Sequence, residues 1–194
     1  MNPYEYITNI KKPGGTSAQE AIWVALIELL AHKPLTEISV KALCTQAHVA
    51  RTTFYSYYEN SDQVLCEIED GLIYDLTTLN DDFMDHSLTQ PEDLLFYAGT
   101  FRYIQSNLKT FNTLLIRRPD QRFLEKWKQS IKYHLWARLF TERQARNAEF
   151  VLEMTASLTV TAHTWVLKNP PETVSQEDIR KIVSEVLRML DYSR

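Results

Sequence analysis

Hydrophobic residues recur at helical spacing along most of the chain. Ile22, Ala25, Leu26, Leu29 and Leu30 fall at i, i+3, i+4, i+7 and i+8, the apolar stripe of an amphipathic helix. Ser17 and Glu20 have the spacing of a capping box at its start, and Lys33-Pro34 predicts its stop. Upstream, Lys11-Lys12-Pro13-Gly14-Gly15 is a cluster of breakers, so residues 1–15 read as an arm or a frayed tail. A second helix is predicted after Ser39 as N-cap, with Val40, Leu43 and Ala47 facing inward. His48-Val49 interrupts it, a third helix covers about Ala50 to Tyr57, and Tyr58-Glu59-Asn60 is a turn. Ser61 then caps a fourth helix through Val64, Leu65, Ile68 and Leu72, long enough to reach Phe83, with Gly71 as its weak spot.

The helical pattern continues beyond Pro91. The predicted segments are Asp93–Ser106, a shorter Asn107–Ile116, an aromatic-rich Asp120 to about Phe140, and Arg146–Leu167. Asn169-Pro170-Pro171 breaks the last of these, and Ser175 with Asp178 caps a final helix to about Leu190. No segment reads as a strand pair. The expected fold is all-α, with about nine helices. Only four glycines in 194 residues agree with this, because sandwiches and phosphate-binding loops need more at their turns.

Composition narrows the function classes. Two cysteines, Cys44 and Cys66, supply neither a disulfide framework nor, with scattered histidines, a four-ligand zinc site. They read as reduced, buried thiols of a cytoplasmic protein, and no metal or cofactor is expected. The first residues, MNPYEYITNI, lack the basic and apolar regions of a secretory signal, and no run is long enough to cross a membrane. His32, His48, His86, His134 and His163 form no His-x-x-x-His or Glu-x-x-His pair, and no Gly-Lys-Ser/Thr loop or Gly-x-Ser-x-Gly elbow occurs. An enzyme is therefore not expected.

The chemistry points instead to nucleic acid. Two short helices around a tight turn, after a longer helix, make a helix-turn-helix over residues 39–58. Phe54 and Tyr58, at i and i+4, face the core, which leaves Arg51, Thr52, Thr53, Tyr55, Ser56 and Tyr57 on or near the open face. Arg51 can donate a bidentate pair to guanine or neutralise a phosphate. The threonines can bond a phosphate or base edge, and the tyrosine hydroxyls lie at phosphate reach. Lys41 adds a cation, and Ser39, with the amides it caps, can hold a phosphate at a helix N-terminus.

Residues 17–65 resemble the DNA-binding domain of the TetR family of bacterial transcription regulators. The resemblance is carried by Leu29-Leu30-x-x-Lys33-Pro34-Leu35-x-x-Ile38-Ser39-Val40, the Ala47-x-Val49 turn, and Thr53-Phe54-Tyr55-x-Tyr57-Tyr58. The remainder is similar, more diffusely, to the Firmicutes-type C-terminal domain of regulators related to those of dihydroxyacetone-kinase operons. There it rests on Phe101-x-Tyr103-Ile104-x-x-Asn107-x-x-x-Phe111-x-x-Leu114-Leu115, Phe123-Leu124 and Trp165. It implies an arm (1–15), a DNA-binding head (16–62) and a helical dimerisation and effector domain (63–194). It further implies a homodimer through the last two helices, about 147–168 and 175–191, and a roughly palindromic double-stranded DNA operator. The expected role is a repressor, with a small-molecule effector as a further option. Phe101, Trp127, His134 and His163 are candidates to line an effector site, against an ordinary role in the core. The rival function is a helical ligand-sensing or adaptor protein of the same fold that no longer binds DNA.

The chain departs from the family's pattern at three positions. His48 stands where the turn usually has glycine, Ala50 where a capping serine is frequent, and Ser61 where a lysine commonly meets a phosphate; Ser61 can still donate a hydrogen bond. Charge adds a further difficulty, because the chain carries a net −4. Residues 1–70 hold five basic side chains (Lys11, Lys12, Lys33, Lys41, Arg51) against nine acidic ones (Glu5, Glu20, Glu28, Glu37, Glu59, Asp62, Glu67, Glu69, Asp70). Weak nonspecific binding and a shallow salt dependence are expected from that balance.

Overall fold

The computed structural model describes residues 2–87, 95–139 and 148–169, with residues 175, 177–179, 181, 182 and 185 of the last segment. All regular elements among these residues are helical. They are α1 (Ser17–Leu30), α2 (Val40–Ala47), α3 (Arg51–Tyr55), α4 (Ser61–Ser87), α5 (Leu95–Ser106), α6 (Leu108–Asn112), α7 (Gln121–Leu139) and α8 (Ala148–Lys168). The expected cap of a ninth helix is present: the Ser175 amide donates to Asp178 Oδ2 (3.0 Å), the Asp178 amide donates to Ser175 Oγ (3.1 Å), and residues 177–179 are helical. Most of that helix, and the expected start at Asp93, lie outside the described residues.

α1 starts one residue earlier than its cap was expected. Thr16, not Ser17, is the N-cap, and its reciprocal partner is Gln19 rather than Glu20. Both pairs have the right spacing. Burial decides between them, because Gln19 is buried and its amide also donates to Tyr58 Oη (3.4 Å), which holds it beside the cap. α1, α2 and α3 pack into a head around Ile22, Leu26, Leu43 and Phe54, all fully buried. α4, 27 residues and about 40 Å long, starts in the head and continues into the body formed with α5 to α8.

The segment Asn107–Ile116 is not one plain helix. α6 lasts five residues and passes into a turn of π-helix over Thr113–Arg117. The Arg118 and Asp120 amides then bond to the Thr113 and Leu114 carbonyls (2.8 Å each), closing the chain before α7. Phe111, Phe123 and Trp127 form the centre of the body, with ring centroids 5.8 to 6.0 Å apart.

The arm is folded rather than frayed. Glu5–Asn9 makes a 3-10 turn that packs on α7, and Ile7 is only 2% exposed. The Asn2 side-chain amide donates to the Tyr133 carbonyl (2.9 Å), and Tyr4 meets Trp136 edge-on. The breaker cluster did not reveal this, because the apolar anchors Tyr4 and Ile7 are too few to set a period.

Candidate nucleic-acid interface

The helix-turn-helix is built by one side-chain cap and one unusual residue. Ser39 is extended, and its Oγ accepts from the Ala42 amide (3.2 Å), so α2 begins where expected. His48 ends α2 in the left-handed region (φ 54°, ψ 38°) and is the one described non-glycine residue with positive φ. This is the conformation that a turn glycine adopts without strain. Replacing His48 with valine is expected to cost about 1–2 kcal/mol of stability in urea denaturation, because a β-branched side chain fits this region poorly. His48→Gly should retain stability. Equal stability of the valine and glycine variants would contradict the strain.

α3 has no side-chain cap at Ala50, so its position depends on packing. Phe54 and Tyr58 are buried, as the i, i+4 pattern predicts. Tyr58 is also the centre of a hydrogen-bond cluster. Its hydroxyl donates to Glu67 of α4 and accepts from the Trp23 indole of α1 (2.8 Å). Burial, and then the Glu67 carboxylate, push the Tyr58 phenol up to about 12, so it remains a neutral donor. The chain just after α3 is thereby tied to both α1 and α4.

The opposite face is open. Arg51, Thr52, Tyr55, Ser56 and Tyr57 are exposed and Thr53 is half-buried; Ser39 and Lys41, at the start of α2, are exposed too. Arg51 Nη2 donates to Tyr55 Oη (3.3 Å), and the guanidinium lies 5.8 Å from the centre of that ring. The pair restrains a long cationic side chain on the surface of α3. Tyr57 Oη accepts from Thr16 Oγ1 (3.3 Å), and Ser56 Oγ donates to the Thr53 carbonyl (2.7 Å).

Ser61 is not brought to this face. It is buried, and its hydroxyl donates to the Ile38 carbonyl (3.2 Å), joining the start of α4 to the loop before α2. Of the residues considered for an effector site, Trp127, His134 and His163 are buried in the body, while Phe101 is half-buried on α5. Trp127 and His163 meet with ring centres 5.5 Å apart. His134 lies 3.2 Å from Asp81.

The structure changes the charge balance of the head. Lys109 of α6 pairs with Glu28 (2.6 Å), which also accepts from the Gln46 amide (2.8 Å). Arg122 of α7 pairs with Asp62 and Glu69, and Lys126 with Glu69 and Asp70. Four of the nine acidic residues in 1–70 therefore pair with three cations from beyond residue 70, while Lys12 pairs with Asp75, an acid from beyond it. Summing the segment alone overstated its negative field, since these partners lie more than fifty positions away in sequence. Lys109, Arg122 and Lys126 had no local signal that would have marked them.

Solved structures share this architecture. A TetR transcriptional regulator from Streptococcus agalactiae 2603V aligns over 88% of this chain and 93% of its own, with 23% identity and a TM-score of 0.67. The fatty acid degradation regulator FadR from Bacillus halodurans aligns over 93% and 96%, with 17% identity and a TM-score of 0.63. The dihydroxyacetone kinase operon activator DhaS aligns over 91% and 95%, with 18% identity and a TM-score of 0.53. No protein-family model and no curated protein sequence matches the chain. In architecture, across both head and body, the chain has the all-α fold of the TetR transcriptional regulators.

Proposed function

We propose that this protein is a transcription regulator that binds a palindromic DNA operator as a homodimer and represses by occupying it. The observation that carries this reading is the open face of α3. Arg51, Thr52 and Tyr55 project from a helix whose other side is locked into the core through Phe54, with Tyr58 buried just beyond its end. Such a helix can enter the major groove without rearranging the head. Arg51, with the threonines and tyrosines beside it, forms the contact set, and Ser39 and Lys41 add phosphate contacts. Ser61 is omitted because its hydroxyl is committed within the protein.

The dimer is supported by α8. Leu152, Ala156 and His163 are buried on one side of this helix, while Phe150 is 67% and Met154 55% exposed on the other. Half-buried Leu158 and exposed Trp165 lie further along the same side, at i+8 and i+15 from Phe150. Exposed apolar residues recurring along one side of a helix, here interrupted by Thr161, suit a two-fold contact with a second copy. Sedimentation velocity at micromolar concentration should show a species of twice the 22.7 kDa chain mass; a monomer would remove the two-fold operator. An effector site in the body, around Trp127 and His163, belongs to the same proposal. Repression is the simplest consequence of operator occupancy, although DhaS, described as an activator, shares the fold.

Selection of bound fragments from genomic DNA, followed by sequencing, tests the reading directly. The expected result is an enriched palindrome with half-sites about one helical turn apart. Arg51→Ala should then weaken binding to that site by about 1–3 kcal/mol if Arg51 reads a base. No enrichment at low salt would favour a sensor or adaptor that no longer reads DNA.

A further inference from the structure

α4 belongs to both head and body, and Gly71 lies between its two ends. A mid-helix glycine costs roughly 1 kcal/mol against alanine and is a natural point of bending. Here both flanks of that point are held. On the α7 side, ahead of Gly71, Arg122 grips Glu69 through Nε (2.8 Å to Oε2) and Nη2 (2.9 Å to Oε1), and Lys126 Nζ bonds Glu69 (3.0 Å) and Asp70 (2.5 Å); beyond it, the Thr77 and Ser130 hydroxyls share a hydrogen bond (2.8 Å). The Glu69 side chain is 0% exposed, so bending that parted it from these cations would strand a buried charge.

The arm holds the other side. The Pro13 ring lies 3.4 Å from where a Gly71 Cβ would stand. One residue earlier, Lys12 Nζ pairs with Asp75 Oδ1 (2.9 Å), and Asp75 also accepts from the Tyr103 hydroxyl (3.0 Å). Upstream the arm is anchored on α7 through Ile7, and downstream it runs into Thr16, the cap of α1. The Lys109–Glu28 pair adds a third link, from α6 to α1. The two exposed pairs contribute little energy each but set where the parts sit.

We infer that the arm and α7 splint α4 across Gly71, so that head and body of one protomer move as a single unit. A change in the separation of two heads is then made where two copies meet along α8, not by swinging α4. That consequence rests on the dimeric reading above, whereas the splint does not.

Amide hydrogen exchange read by mass spectrometry on the full chain, without DNA, tests it. In the natural sequence the slowest amides of α1 and α2 should exchange through the same opening as those of α7, with the same response to low urea. Deleting residues 2–13 should speed exchange in α1 and α2 by about tenfold or more relative to α7; Arg122→Ala lowers the stability of the whole chain, so its effect is read as the excess acceleration of α1 and α2 over α7. Lys126→Gln is the milder release if Arg122→Ala does not fold. Two results would overturn the splint: a separate, faster opening of α1 and α2 in the natural sequence, or variants in which head and body accelerate together. Absence of DNA binding or of a dimer would sink the proposed function and leave this result standing.

Discussion

Substituting Arg122→Ala is expected to lower stability by about 3–5 kcal/mol in urea denaturation at pH 7, the cost of breaking a buried ion pair from one side. The reason lies in Glu69 rather than in the arginine. Arg122 is partly exposed and would tolerate release into water, but Glu69 has no exposed side-chain surface. Its carboxylate accepts three bonds from the Arg122 guanidinium and one from Lys126 (3.0 Å). Without the guanidinium it keeps a single ammonium shared with Asp70. Arg122→Lys should recover only part of the loss, because an ammonium cannot make the two-pronged contact. Adding Glu69→Gln to Arg122→Ala should restore stability by removing the stranded charge. A loss below about 1 kcal/mol, the value of an exposed pair, would show that Glu69 finds water in the folded state.

A stability loss on the order of 3 kcal/mol is expected as pH falls from about 6.5 to about 4, and His163→Gln should abolish most of it. His163 is fully buried on α8 against Trp127, and its Nδ1 donates to the Thr159 carbonyl (2.8 Å). Burial pushes its imidazole down to about 4, so the folded state holds it neutral. The unfolded chain, with an ordinary histidine near 6.5, takes up a proton first as pH falls. Its stabilising effect is therefore complete above about 6.5 and is drained between there and about 4. Glu153 acts lower on the scale. Hydrogen bonds from Lys132 and Lys128 hold its carboxyl down to about 2, so its contribution is lost only as pH falls from about 4.5 toward 2. Measuring denaturation midpoints at pH 7, 5.5 and 4.5 separates the two groups. A flat profile across those points would show that His163 is protonated, or reached by water, in the folded protein.

The helix positions were largely legible because each rests on local information. The α1 stripe, the Ser39 cap, the Lys33-Pro34 stop and the Ser175–Asp178 cap all involve partners within a turn or two of one another. The left-handed backbone at His48 was legible for the same reason, since the turn demands it whatever occupies the position. The open face of α3 followed from Phe54 and Tyr58 being four residues apart. Where two local solutions were equally good, as with Thr16–Gln19 and Ser17–Glu20, the choice fell to Tyr58, some forty positions further on.

Ser61 and the charge balance show the limit of that reasoning. Ser61 does not cap α4 as expected, because Asn60 Oδ1 takes the Gln63 amide (3.0 Å), and nothing nearby distinguishes a phosphate-donating serine from one with a buried bond to Ile38. The acidic surplus of residues 1–70 is real as a count and misleading as a field, because Lys109, Arg122 and Lys126 fold back onto it. The arm is a third case. Its anchors lie on α7, more than a hundred residues away. Helices, caps and the two-faced pattern of α3 arise from backbone hydrogen bonding and a 3.6-residue period, both written in short stretches of chain. The docking of the arm, the partial compensation of the acidic residues and the contacts flanking Gly71 arise from side chains that meet only when the arm, α1, α4, α6 and α7 pack. Their energies depend on burial, and burial is a property of the assembled fold.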